Sequence, residues 1–170
     1  AMFKDPSILD PEIRAHLEAE NAYQQAAMAE TEELRKTLFN EMKGRIKEDD
    51  SSVPMKDGPF AYGTLYVTGG EHAHYFRIPR DGDGGLKQVL LNGDREAEGK
   101  DYCRLSGLDH APQHDKGLWG YDDKGSEYFT LKVRDFATGR DLPDIVENTG
   151  GGGVWAPDGK SFFYSMLDEN

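Results

Sequence analysis

The strongest constraint on this chain is an echo in its later part: Ala111-Pro112 followed by Leu118-Trp119, then, 45 residues on, Ala156-Pro157 followed by Phe163-Tyr164. A period of that size belongs to a β-propeller blade, a small antiparallel sheet that cannot cover both faces without neighbouring blades. One full period fits before Asp168-Glu169-Asn170, so the expectation is a partial toroid whose chemistry lies outside these 170 residues.

Ahead of the repeat, residues 10–47 predict two helices. Asp10 can accept the free amide hydrogen bonds of a first turn, and Pro11 has no amide to leave unpaired there. Ile13, Leu17, Tyr23 and Ala27 form one apolar stripe, while Glu12, Arg14, Glu18 and Glu20 are left for water. The pattern restarts near Ala29 to Thr31, with Thr31 as the expected cap of a second helix whose Leu34, Leu38 and Met42 recur every fourth residue and whose Phe39 widens the stripe. Gly44 weakens that helix, and Lys43, Arg45 and Lys47 suit the negative end of its dipole.

Glu48-Asp49-Asp50-Ser51-Ser52 and Pro54 break the pattern, which places a boundary at 48–54 and divides the chain into a helical segment, 1–50, and an incomplete propeller, 51–170. From Phe60 the signal becomes short aromatic and β-branched runs cut by glycine: Phe60-Ala61-Tyr62, Thr64 to Thr68, Tyr75 to Ile78 and Val89 to Leu91. Gly69-Gly70 and Asp81 to Gly85 are the expected hairpin turns. The blade itself is expected over 103–147, with strands at Leu118–Tyr121, Tyr128–Val133 and Asp144–Glu147, and Val154 to Tyr164 opening the next. The fold class is thus an α+β fragment, an amino-terminal helical pair followed by antiparallel strands forming the first part of a β-propeller.

The net charge of −12 extends over both parts, which disfavours nucleic acid and anionic membrane as partners and would attract basic peptides at low salt. Cys103 is the sole cysteine, so no intrachain disulfide forms, which suits a reducing compartment. The sequence has no apolar run long enough for a membrane span and no apolar stretch of a secretory leader near Met2, which gives a cytoplasmic expectation.

Candidate sites are few. Acyl transfer by serine needs a nucleophile on a sharp strand-to-helix turn, Gly-x-Ser-x-Gly, and none of Ser106, Ser126, Ser161 or Ser165 has one around it. Glu71, His72 and His74 begin a metal-ligand pattern without an evident further ligand, and read better as a solvent-exposed hairpin. Asp81-x-Asp83 opens like a calcium loop, but Gly85 lacks the next ligand and Leu86 occupies the glycine position, leaving a turn. Gly150 to Gly153 lacks the following helix of a phosphate cradle and reads as an interblade connection. His110 and His114 are four apart, but Pro112 opposes the helix that would align them, so they read as exposed loop histidines. Glu48 to Asp50 reads as a solvated linker rather than a cation site or a docking run. No catalytic, metal or cofactor-binding residue is therefore assigned.

Several strings together resemble one family. Ala19-Glu20-Asn21-Ala22-Tyr23, Glu41 through Pro54, Ala97 to Tyr102, Gly125 to Leu131 and Arg134 to Gly139 look like segments of the prolyl oligopeptidase family, most closely its oligopeptidase B branch, in the family's order. Ala111-Pro112-Gln113-His114-Asp115 and Leu91-Asn92-Gly93-Asp94 depart from the usual pattern at two loops. The resemblance implies an α/β-hydrolase domain, built partly from an amino-terminal helical segment, joined to a seven-bladed propeller that restricts access to large substrates. It also implies a serine peptidase that cleaves short peptides after Lys or Arg, its triad far downstream of this chain.

On that reading the chain contributes scaffold and gating, is inactive alone, and has lost the hydrolase domain that would cover Leu34, Leu38 and Met42. Self-association through open sheet edges is then expected. The alternative is a free-standing module that binds a peptide or protein along such an edge.

Overall fold

The computed structural model describes residues 9–82 and 86–167, and the chain divides into two units, 1–47 and 48–170. Asp83, Gly84, Gly85 and the last three residues lie outside the described residues, so the second hairpin turn and the calcium-like pattern are described only at Asp81 and Gly82.

The first unit is α1 (Pro11–Met28), a 3-10 turn (Ala29–Thr31) and α2 (Glu32–Gly44). The Asp10 carboxylate accepts from the Glu12 amide at 2.8 Å, and Pro11 takes the first helical position. Thr31 stands at the cap position of α2 but does not cap it: its hydroxyl donates to the Met28 carbonyl at 2.7 Å, which closes the intervening turn. Ion pairs Arg35–Glu32 and Lys36–Glu33 line the exposed surface of α2, and its amides beyond Gly44 tighten onto Met42 and Lys43. Neither helix contains a buried residue; Leu34, Leu38, Phe39 and Met42 all stand in solvent.

In the second unit, β1 (Met55–Asp57), β2 (Phe60–Leu65), β3 (His74–Pro79) and β4 (Gln88–Asn92) form a four-stranded antiparallel meander. A short helix, α3 (Gly93–Ala97), follows; the Asn92 side chain caps it by accepting from the Arg95 amide at 3.0 Å. Then β5 (Arg104–His110), β6 (Lys116–Asp122), β7 (Phe129–Asp135), β8 (Asp141–Trp155) and β9 (Phe162–Met166) form a second, five-stranded meander. The expected single blade at 103–147 is thus preceded by a complete sheet, into which the hairpin strands at 60–91 assemble. Residues 60–62 and 64–65 are one strand, since Gly63 lies in its interior, where a side chain would strike the Phe76 ring.

The echo is structural. Ala111 donates to Lys116 at 2.8 Å and receives from the His114 amide at 2.8 Å; 45 residues on, Ala156 donates to Ser161 and receives from Gly159, each at 2.9 Å. The same turn therefore links β5 to β6 and β8 to β9. The Gln113 side-chain amide donates to the Pro157 carbonyl at 3.2 Å, so the two turns lie side by side.

Two strand expectations need correction. Asp144–Glu147 is the early part of β8, a 15-residue strand, and Gly150 to Gly153, expected as an interblade connection, is the bulged interior of that strand. One half of β8 pairs with β7 and the other with β9. Buried Thr149 holds the crossing: its hydroxyl donates to the Phe129 carbonyl at 3.0 Å and accepts from Gly151. The core of this sheet is Leu118, Leu131 and Val133, with Val146, Trp155 and Phe162 packed on it. Burial of such side chains stabilises by about 1.5–3 kcal/mol each.

Glu48 to Asp50 is likewise no free linker. The Glu48 carboxylate accepts from Gly69, the Asp50 carbonyl accepts from Tyr66 at 2.7 Å, and Ser51 bridges to Leu65, so the run extends the β2 edge.

Candidate functional site

The densest group of chemically capable side chains lies on the seam between the two sheets. Asp57 ends β1, Tyr62 lies on β2 and Arg77 on β3; His110 ends β5 and His114 sits in the β5–β6 turn. The Asp57 carboxylate and the His110 Nε2 are 2.7 Å apart, and the Tyr62 hydroxyl and His114 Nδ1 2.8 Å. Tyr62 stacks on His110 with ring centroids 3.8 Å apart, and the two imidazoles stack at 5.1 Å. Hydrogen bonding to His110 holds the Asp57 carboxyl below its ordinary range, while burial pushes the Tyr62 phenol up, against the opposing effect of Arg77.

Backbone geometry sets the imidazoles. His114 has a φ of 59°, the left-handed conformation, and there the chain turns back so that residues four apart converge without a helix. The Arg77 guanidinium donates to the His114 carbonyl, lies 3.9 Å over the Phe60 ring and donates from Nε to Gln88, whose own amide donates to the Phe136 carbonyl. The β5–β6 turn is thereby pinned to the first sheet. His110 and His114 are half-buried partners in this seam and not exposed loop residues, which corrects the sequence expectation. Asp57, Tyr62 and Arg77 were not singled out, because nothing local in the sequence ties them to partners 53, 52 and 37 positions away.

The other histidine pair separates. His74 is buried in β3 with its Nε2 2.9 Å from an Asp94 carboxylate oxygen, which corrects the exposed-hairpin reading; the other Asp94 oxygen accepts from the Glu71 and His72 amides. Burial alone would raise the Asp94 carboxyl, but those two amides and His74 outweigh it and hold the group low. His72 contributes only its backbone here, so no ligand set forms with Glu71. Asp81 pairs with Lys56 at 3.6 Å, and Gly82 closes a turn onto Pro79.

Among the described residues no serine hydroxyl is hydrogen-bonded to an imidazole. Ser126 is buried in the β6–β7 turn, donating to Asp122 and accepting from Tyr128, a structural role; Ser106, Ser161 and Ser165 are exposed on strands or a turn. Cys103 is half-buried, and burial raises its thiol, the reverse of nucleophile activation. Nor is any helix of the described residues long and apolar enough to cross a membrane.

The arrangement is a blade-to-blade seam, and a family model accounts for it: the N-terminal beta-propeller domain of prolyl oligopeptidase matches residues 3–170. The chain belongs to the prolyl oligopeptidase family. Among relatives of this family, dipeptidyl aminopeptidase BI of Pseudoxanthomonas mexicana is 33% identical over 97% of this chain and 25% of its own length. Oligopeptidase B from Leishmania major superposes with a TM-score of 0.90 at 32% identity, over 97% of this chain and 24% of that one. Oligopeptidase B from Trypanosoma brucei, solved in a closed form with covalently bound antipain, gives a TM-score of 0.84 at 29% identity, over 96% and 23%. The chain spans about a quarter of the length of these prolyl oligopeptidase-family relatives. It corresponds to the amino-terminal propeller region of that family and is oligopeptidase B-like in fold.

Proposed function

We propose that this chain is the scaffold and gating segment of an oligopeptidase B-like serine peptidase that cleaves short peptides after Lys or Arg in the cytoplasm. The single observation that carries the reading is the match of nearly this whole chain to the family's N-terminal propeller domain and to about a quarter of oligopeptidase B, in a sequence that lacks a Gly-x-Ser-x-Gly elbow. The triad belongs to the remainder of the parent enzyme. The charge of −12 is consistent with a preference for cationic peptides. The exposed face of α2, with Leu34, Leu38 and Met42, docks on the α/β-hydrolase domain of the parent.

The test compares two proteins. The full parent enzyme is expected to hydrolyse a fluorogenic peptide with Arg or Lys before the scissile bond and to lose that activity to a fluorophosphonate, whereas the 170-residue chain turns over nothing. Fluorophosphonate-sensitive turnover by the chain alone overturns the placement of the chemistry. A parent that prefers proline or an uncharged residue at that position overturns the specificity.

A further inference from the structure

The seam cluster has a composition that a mere latch does not require. One carboxylate oxygen of Asp57 and one ring nitrogen each of His110 and His114 lie within 4.8 Å of one another, and they come from both sheets. We propose that Asp57, His110 and His114 form a divalent transition-metal site that clips the first two propeller sheets together.

Donor chemistry narrows the ion. Two imidazoles and a carboxylate suit Zn2+ and its neighbours Co2+, Ni2+ and Cu2+, whereas Ca2+ and Mg2+ take sets built of oxygen. Three protein ligands leave a fourth position to water.

The ligand spacing is near what such an ion requires. Metal–ligand bonds of roughly 2.0–2.2 Å in a tetrahedron put ligand atoms about 3.3–3.6 Å from each other. Asp57 and His110, now 2.7 Å apart, open slightly, and a pair as wide as 4.8 Å closes by a little more than 1 Å. The residue with freedom to move is Asp57, whose side chain is 64% exposed, whereas that of His110 is 22% exposed and stacked on Tyr62.

The imidazoles already have the outer support that metal-binding histidines use. The Tyr62 hydroxyl sets the plane of the His114 ring through Nδ1, and the Arg77 contact to the His114 carbonyl fixes its backbone. Gly58 leaves room beside them, since a Cβ there would stand 2.1 Å from the His114 Nε2. The bound ion joins a residue of the first sheet to two of the second, in place of the single Asp57–His110 contact.

Titration of the full chain with ZnCl2 in a calorimeter, and with Co2+ followed by its visible absorption, tests the site. The expected result is one saturable equivalent, with the Co2+ bands of a four- or five-coordinate nitrogen and oxygen site and a rise in Tm on addition of Zn2+. Asp57→Asn and His110→Gln are each expected to weaken binding by more than about 100-fold, because losing a ligand exceeds an outer-shell change, and Tyr62→Phe by about 10–100-fold. His72→Ala should leave binding unchanged. Circular dichroism of the metal-free variants separates lost binding from lost folding, and Asp57→Asn, at the exposed position, is the variant that keeps the fold. No saturable binding, binding retained in both ligand variants, or binding that moves with His72 overturns the site.

Discussion

The Arg134 guanidinium donates to the Asp141 carboxylate at 2.6 Å from a position only 9% exposed, joining neighbouring strands β7 and β8. The same carboxylate oxygen accepts from the Trp119 indole at 2.9 Å, and Arg134 reaches Glu96 at 3.0 Å. Burial opposes the cation, but hydrogen bonds to Asp141 and Glu96 more than offset it and hold the guanidinium firmly protonated. Removing one partner of a buried pair costs about 3–5 kcal/mol, and here Glu96 still faces the cation, so Asp141→Ala is expected to lose about 2–3 kcal/mol. Urea unfolding of the chain measures it. A loss under about 1 kcal/mol would mean that water already reaches Arg134.

Much of the fold was legible in the chain because short-range chemistry decides it. Asp10-Pro11 sets a helix start, and Ala-Pro with a left-handed residue three positions later sets a turn, twice. The seam was misread for a physical reason: residues four apart were judged by helical geometry, which Pro112 forbids, while a turn brings them together as well. The echo contained the corrective signal. His114 aligns with Gly159, and both have positive φ, 59° and 62°, so the first copy spends a left-handed position on an imidazole. Asp57 and Tyr62 had no such signal, since only sheet packing joins them to His110 and His114. Strand β5 escaped notice because Gly107, at φ 125°, breaks its apolar alternation and shifts its register.

Gly58 and Gly139 provide a paired test of the seam. Both have positive φ, 52° and 67°, so alanine pays a left-handed cost of about 1–2 kcal/mol at either. At Gly139 nothing lies within 4 Å of the new Cβ, whereas at Gly58 it meets the His114 ring. Gly58→Ala is therefore expected to be the more destabilising by at least about 1 kcal/mol, the lower range for overpacking, in thermal or urea unfolding. Equal losses would show that His114 swings aside freely.

Acid should weaken the second unit. Backbone amides of Lys124, Glu127 and Ser126 hold Asp122 low despite the opposing effect of its burial; Asp94 is held low likewise, and Asp135 by Thr138. A carboxyl depressed in the folded state stabilises it fully above the unfolded value, about 3.9, and that contribution disappears as pH falls through the folded value. Stability is thus expected to be level with respect to these groups above about pH 5 and to fall steadily below about pH 4. Asp122→Asn should be less stable at pH 7 and shallower in its acid limb, read from urea midpoints across pH. An unchanged acid limb would remove Asp122 from this role.

The β9 margin gives the last prediction. Phe163 and Met166 are 73% and 64% exposed on a strand that, among the described residues, has no hydrogen-bonded neighbour strand on its outer edge. An apolar edge of unpaired amides and carbonyls is a template for another strand, and lysine on such an edge opposes pairing by charge and desolvation. The chain alone is expected to self-associate with rising concentration, and Phe163→Lys with Met166→Lys to restore a monomer. Both side chains are exposed, so the core of Leu118, Leu131 and Val133 should be undisturbed, with stability changed by no more than about 0.5 kcal/mol per site. Sedimentation velocity over a wide concentration range distinguishes the two outcomes: association that persists in the double variant would move the contact away from β9 to another edge or to the α2 stripe.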